Sequence, residues 1–132
     1  ERLHTVSSGE FYYRTVSDLP WPVSDRDVIL LTKQWKVKET GIYKTKSSAK
    51  PDFVSTVEDI VRIPLYESAW TITPTEQNMV EIEYTALTEV GGQIPDWMVN
   101  LGLSAGPYET MRGLRNYLKQ IEVRAVVVKQ KN

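Results

Sequence analysis

Cysteine is absent from this chain, which excludes disulfides, thiolate nucleophiles and cysteine-based metal sites. Histidine is nearly absent: His4 stands alone, and one imidazole without thiolates or a second imidazole does not assemble a zinc site. Long apolar runs are missing too. The longest, residues 28–31 and 125–128, fall far short of the ~20 residues a spanning helix needs. Excess charge of either sign is absent, with 16 Lys and Arg against 17 Asp and Glu. A nucleic-acid reader carries a clear basic excess on one face, so no nucleic-acid partner is expected. There is no Gly-x-Ser-x-Gly elbow, no phosphate-cradling glycine loop and no dinucleotide fingerprint. Neither a hydrolase nor a nucleotide-dependent enzyme therefore has local support, and no cofactor is called for. The chain opens at Glu1 without methionine or signal peptide, which reads as an excised piece and leaves the compartment open.

What is present suits one folded domain. The 132 residues are 41% hydrophobic and 25% charged, an ordinary balance for a chain with a single core. Residues 10–17, 26–37, 42–47, 60–73 and 79–88 read as strands from their β-branched and aromatic content and their alternation. Within 26–37, Ile29, Leu31, Trp35 and Val37 share one face and Val28, Leu30, Thr32 and Gln34 the other, with both covered around residues 28–31. Pro20 and Pro22 break the ladder before it. Ser7, Ser8 and Gly9 mark a turn, and Thr40 and Gly41 mark a hairpin. Residues 48–59 have no clean period and read as a long loop, while Pro64 predicts a bulge or an edge.

The chain is organised around residues 91–100. Gly91 and Gly92 release the backbone from the last strand, and Pro95 suits the first turn of a helix. From Pro107 to about Val128 the residues Met111, Leu114, Leu118, Ile121, Ala125 and Val128 form one apolar stripe that needs burial. A kink or break is predicted near Gly106, because Pro107 inside a helix costs ~3 kcal/mol. Residues 122–132 read as an extension of the helix or a tail, frayed over its last four positions.

Acid–base chemistry finds little here. Glu81 and Glu83 lie on the polar face of an amphipathic strand. Asp25 and Asp27 flank Arg26 at a loop-to-strand junction, where turn hydrogen bonds and an ion pair explain them, and Glu58 with Asp59 sits in the long loop. No catalytic residue is assigned. The positive signal is spread over four tryptophans, seven tyrosines and three methionines, residues that usually serve as core. A sheet curled around one helix nonetheless leaves room for an apolar pocket.

Several segments resemble START (StAR-related lipid-transfer) domains. Residues 21–27, Trp-Pro-Val-Ser-Asp-Arg-Asp, are similar to the Pro-x-x-x-Arg-Asp segment that opens a central strand in that family. Val61 with Arg62, residues 70–74 and residues 80–84 follow in the family's order. Residues 92–100 then resemble its Gly-x-(Ile/Leu)-Pro-x-x-(Leu/Ile/Met)-(Val/Ile)-Asn helix start, and Leu114 with Arg115 its Leu-Arg. The likeness runs from about Glu10 to Ile121, with Arg26, Asp27, Arg62, Gly92, Pro95 and Asn100 as its structural positions.

The resemblance implies an α+β helix-grip fold, a curved antiparallel sheet packed around a long C-terminal helix, with a tunnel for one lipid, sterol or other hydrophobic molecule. It makes residues 1–132 one partial domain that lacks the family's first helix and opening strands. An exposed sheet edge would then invite self-pairing of copies. Residues 50–59 would match a loop near the tunnel mouth that gates access, with transient membrane contact. Trp97, Met98, Leu101, Met111, Leu114 and Leu118 would form the ceiling, and Tyr84, Ala86 and Trp70 the floor. Sterol-binding relatives place an arginine where this chain has Thr32 and its charged partner near Tyr13, so hydroxyls replace a cavity salt bridge and steroid preference is put in question.

The expected function is non-catalytic carriage or sensing of a hydrophobic ligand, oriented by Tyr13 or Thr32. Two alternatives stand beside it. One is a polyketide cyclase or aromatase of the wider helix-grip group, using Arg62 and Tyr84. The other is a protein-interaction module.

Overall fold

The structure, a computed structural model, describes residues 1–76, 79–120 and 126–128, of which 97–105, 107 and 126–128 are described by backbone alone. The elements follow as β1 (Arg2–Ser7), β2 (Glu10–Ser17), β3 (Asp25–Lys36), β4 (Tyr43–Ala49), β5 (Ile60–Arg62), β6 (Leu65–Pro74), β7 (Val80–Glu89), α1 (Asp96–Gln120) and β8 (Val126–Val128). One sheet takes the order β1-β2-β3-β4-β6-β7-β8, with β5 paired to β3 off that path. Neighbours from β1 to β7 are antiparallel. Strand β5 runs parallel to β3, and β8 parallel to β7. The result is the expected α+β helix-grip architecture, a curved sheet with one C-terminal helix.

Strand β3 is the hub. Its Leu30 to Lys36 half pairs with β4, and its Asp25 to Asp27 half with β5. Both faces of its middle are covered, as the sequence predicts: Val28, Ile29 and Leu30 are buried, together with Ile82 of β7. Each such burial contributes ~1.5–3 kcal/mol. The other fully covered residues among those described are polar or charged: Arg26, Asp27, Thr32, Ser47 and Ser68. Two tryptophans are less interior than their type suggests, Trp21 being 92% and Trp35 45% exposed. Gly9 closes the β1–β2 hairpin against β3, where its carbonyl accepts from the Gln34 amide at 2.7 Å. A Cβ at Gly9 would lie 2.6 Å from the Gln34 carbonyl oxygen, so only glycine fits.

Three readings of the sequence are revised and one strand is added. Residues 2–7, outside the strands read from sequence, form a strand held by pairing with β2 although mostly exposed. The stretch 60–73 divides into β5 and β6 around Ile63 and Pro64, since proline has no donor for the ladder. The helix starts at Asp96, one residue after Pro95, and runs unbroken past Pro107 to Gln120. Just before that proline the Gly106 carbonyl accepts from the Thr110 hydroxyl at 2.9 Å. The apolar stripe does not continue as helix to Val128: residues 126–128 are a strand on the edge of β7, where three valines suit extended pairing. Ile121 and Ala125 lie outside the described residues.

Candidate functional site

Strand register decides which side chains meet. Phe11 pairs with Thr32, Thr32 with Ser47, and Ser47 with Ser68, making one row across four strands. The next row is Thr45, Trp70 and Tyr84. Period-two alternation puts Tyr13 and Tyr66 on the same face as these rows. With Glu1 and Arg2 of the N-terminal edge and Thr110 of α1, they line a cavity of about 580 Å³. That size falls within the ~300–1,000 Å³ of small-molecule sites.

The cavity wall is aromatic and its floor carries hydroxyls. Trp70 lies against Tyr84, with ring centroids 4.4 Å apart. Thr32 and Ser47 are buried and share a hydrogen bond of 2.8 Å. Ser68 is buried beside them. Tyr66 and Tyr84 hydroxyls meet at 3.3 Å. Desolvation raises the Tyr84 pKa well above the phenolic range, reinforced by its bond to Tyr66 and by the phenols of Tyr66 and Tyr13. Tyr13 is raised as well, chiefly by burial, against a smaller lowering by hydrogen bonding to Thr32 and Ser47. Tyr13 and Tyr84 are thereby held neutral over the physiological range. Arg2 sits with its guanidinium carbon 4.3 Å from the Phe11 ring centroid, a cation–π placement at one side of the cavity.

Of the residues singled out from sequence, Tyr13, Thr32, Trp70 and Tyr84 line this cavity together. Ala86 is exposed and borders a separate depression of about 300 Å³ with Lys46, Glu67 and Leu87. Met111, Leu114 and Leu118 are half-buried on α1 and are not among the residues that line the cavity. The side chains of Trp97, Met98, Asn100 and Leu101 lie outside the described residues. Sequence reasoning missed Phe11, Thr45, Ser47, Tyr66 and Ser68. Alternation from Tyr13 and Trp70 points to Phe11, Tyr66 and Ser68, whereas Thr45 and Ser47 require the cross-strand register. Among the described residues no cluster of three His, Asp or Glu side chains could hold a metal ion.

The Arg-Asp motif does a different job. Alternation places Asp27, Arg14 and Tyr12 on the face opposite the cavity. Asp27 is 1% exposed and accepts from Arg14 Nε at 2.7 Å and from Arg62 Nε at 2.6 Å. Arg62 also donates to the carbonyls of Pro51, Val54 and Ser55. Phe53 stacks on Tyr12 with centroids 3.8 Å apart and planes at 7°. Residues 50–59 are thereby pinned against that opposite face, and among the described residues none lines the cavity, contrary to the expectation of a loop at its mouth. Arg26 donates to the Ser24 carbonyl and, at 3.4 Å, to that of Gly91. It thus ties the start of β3 to the glycines before α1, and Gly92 leaves room for its guanidinium.

Comparison with known proteins agrees with this fold. The START domain family model matches residues 1–123. An uncharacterised protein of Pseudomonas aeruginosa is 31% identical over 99 residues, covering 75% of this chain and 48% of its own length. The chain thus spans about half the length of that curated relative. The crystal structure of a STAR-related lipid transfer protein fragment from Xanthomonas axonopodis superposes with a TM-score of 0.74 at 29% identity, covering 90% of this chain and 66% of that one. Human STARD10 also gives 0.74, at 21% identity, over 92% and 50% of the two chains, a likeness of fold. With its sheet, its helix and nearly its whole length matched, the chain belongs to the START domain family.

Proposed function

We propose that this chain binds one lipid, sterol or other hydrophobic small molecule in the space between the sheet and α1, and carries or senses it without chemical change. The observation that carries the reading is the cavity of about 580 Å³ walled by Phe11, Trp70 and Tyr84. Apolar contact would supply most of the affinity, at ~25 cal/mol per Å² removed from water. Family membership supports it, as does the lipid-transfer name of the Xanthomonas relative. Loading from a bilayer implies transient membrane contact, and pairing of copies through the outer edge of β1 is the accompanying proposal for self-association.

The cyclase alternative gains no support from the arrangement. Arg62 is committed to Asp27 and to loop carbonyls on the face away from Tyr84, so the two do not form an acid–base pair. The test is extraction from mixed-lipid vesicles followed by gel filtration and mass spectrometry of the protein fraction. A lipid species travelling with the chain in one-to-one ratio is expected. An empty protein fraction across a broad panel of phospholipids, sterols and neutral lipids contradicts the reading.

A further inference from the structure

We propose that the floor of this cavity selects an uncharged ligand group that both donates and accepts hydrogen bonds, a hydroxyl or a carboxamide. The ligand class is then a neutral amphiphile rather than a fatty-acid or phosphate anion. This assignment rests on the binding reading above and narrows it.

The floor is built from hydroxyls on facing strands: Thr32 of β3, Ser47 of β4 and Ser68 of β6, flanked by Tyr13, Tyr66 and Tyr84. A hydroxyl offers one donor and two acceptor positions. Thr32 and Ser47 bond to each other and to the Tyr13 phenol. Tyr66 and Tyr84 share one hydrogen bond, which uses one of their two hydrogens and leaves the other in need of an acceptor, and the Ser68 hydroxyl stands beside them on the floor. Thr32, Ser47 and Ser68 are each less than a tenth exposed, so bulk water serves them poorly, and buried polar groups left unmatched are costly. A ligand hydroxyl or amide can take the spare hydrogen and return one of its own.

An anion fares worse at the same place. No lysine or arginine stands on the floor, and the charged lining residues are Glu1 and Arg2, opposite in sign, at the N-terminal edge. Arg2 is already placed over the Phe11 ring. Burying a carboxylate or phosphate among neutral hydroxyls and aromatic rings carries a desolvation cost with no countercharge to offset it. The raised phenolic values of Tyr13 and Tyr84 are the same effect acting on the protein's own groups.

The experiment compares three probes that share one hydrocarbon chain: hexadecanol, palmitate and hexadecane. Each is titrated into the full chain at neutral pH, followed through tryptophan fluorescence, since Trp70 is in the wall, and by native mass spectrometry. Hexadecanol is expected to bind roughly tenfold or more tighter than either other probe. In the Thr32→Val, Ser47→Ala double variant, with Ser68→Ala as a milder second variant, hexadecanol affinity falls towards that of hexadecane while hexadecane is unaffected. Palmitate binding as tightly as hexadecanol overturns the assignment alone, as does a variant that weakens alcohol and alkane equally. Failure of all three probes to bind overturns the binding reading and the assignment together.

Discussion

Asp27 collects Arg14 and Arg62 within a covered site, with Arg62 also reaching its second oxygen through Nη2 at 3.1 Å. Removing one partner from such a cluster leaves charges buried without compensation and costs ~3–5 kcal/mol. Asp27→Asn is therefore expected to lower the urea-unfolding free energy by about that amount, which chemical denaturation measures directly. Burial pushes the carboxyl upward, but hydrogen bonds and charge from Arg62 and Arg14 outweigh it, so the folded value lies below the ordinary 3.8. A carboxyl depressed on folding contributes stability that is present above the unfolded value and lost as pH falls through the folded one. Denaturation midpoints followed from neutral into acid should show that loss in the wild type, and Asp27→Asn should lack that component. On the cavity side, Thr32→Val alone leaves Ser47 without its partner and is expected to cost ~1 kcal/mol. Adding Ser47→Ala should recover part of it, a coupling that a double-mutant cycle reads out.

At the scale of elements, the loop between β4 and β5 is held from outside by Arg62 and by the Tyr12 ring under Phe53. Arg62 holds three of its carbonyls and is itself held by Asp27. Arg62→Met should loosen residues 50–59, giving faster limited proteolysis there, while cleavage within β6 and β7 stays slow. The turn before α1 is equally particular: Gly91 has φ of 65°, and a Cβ on it would sit 3.2 Å from the Arg62 carbonyl oxygen. Gly91→Ala is expected to cost ~1–2 kcal/mol, seen as a lower thermal midpoint.

The elements best legible in the sequence were those with one wet and one dry face. Strand β7 alternates cleanly, and β3 shows its doubly covered middle as an unbroken apolar run. Strand β1 was not legible because its residues are mostly exposed and polar, so pairing rather than burial makes it a strand. The end of α1 was misread because a run of valines satisfies helical spacing as readily as extended pairing. Pro107 was overweighted because its propensity cost is local, whereas the helix is continuous through it.

For the whole molecule, the site was half legible. Tyr13 and Thr32 stood out as neutral residues where charged ones were expected, and Trp70 and Tyr84 as aromatics on alternating strands. Ser47, Ser68 and Thr45 carry no signal of their own, since small hydroxyl residues are common everywhere and only the register of β4 and β6 gathers them under one roof. The ceiling was read from the stripe of α1, yet Met111, Leu114 and Leu118 are only half covered. The most direct measurement is native mass spectrometry of the full chain beside Ser68→Trp, a variant that fills the floor with its own indole, each checked for folding by circular dichroism. The account predicts that the wild type holds one hydrophobic molecule per chain, as purified or after exposure to lipid, and that folded Ser68→Trp does not. A wild type that stays empty across the panel, or a folded Ser68→Trp that carries the same load, contradicts it.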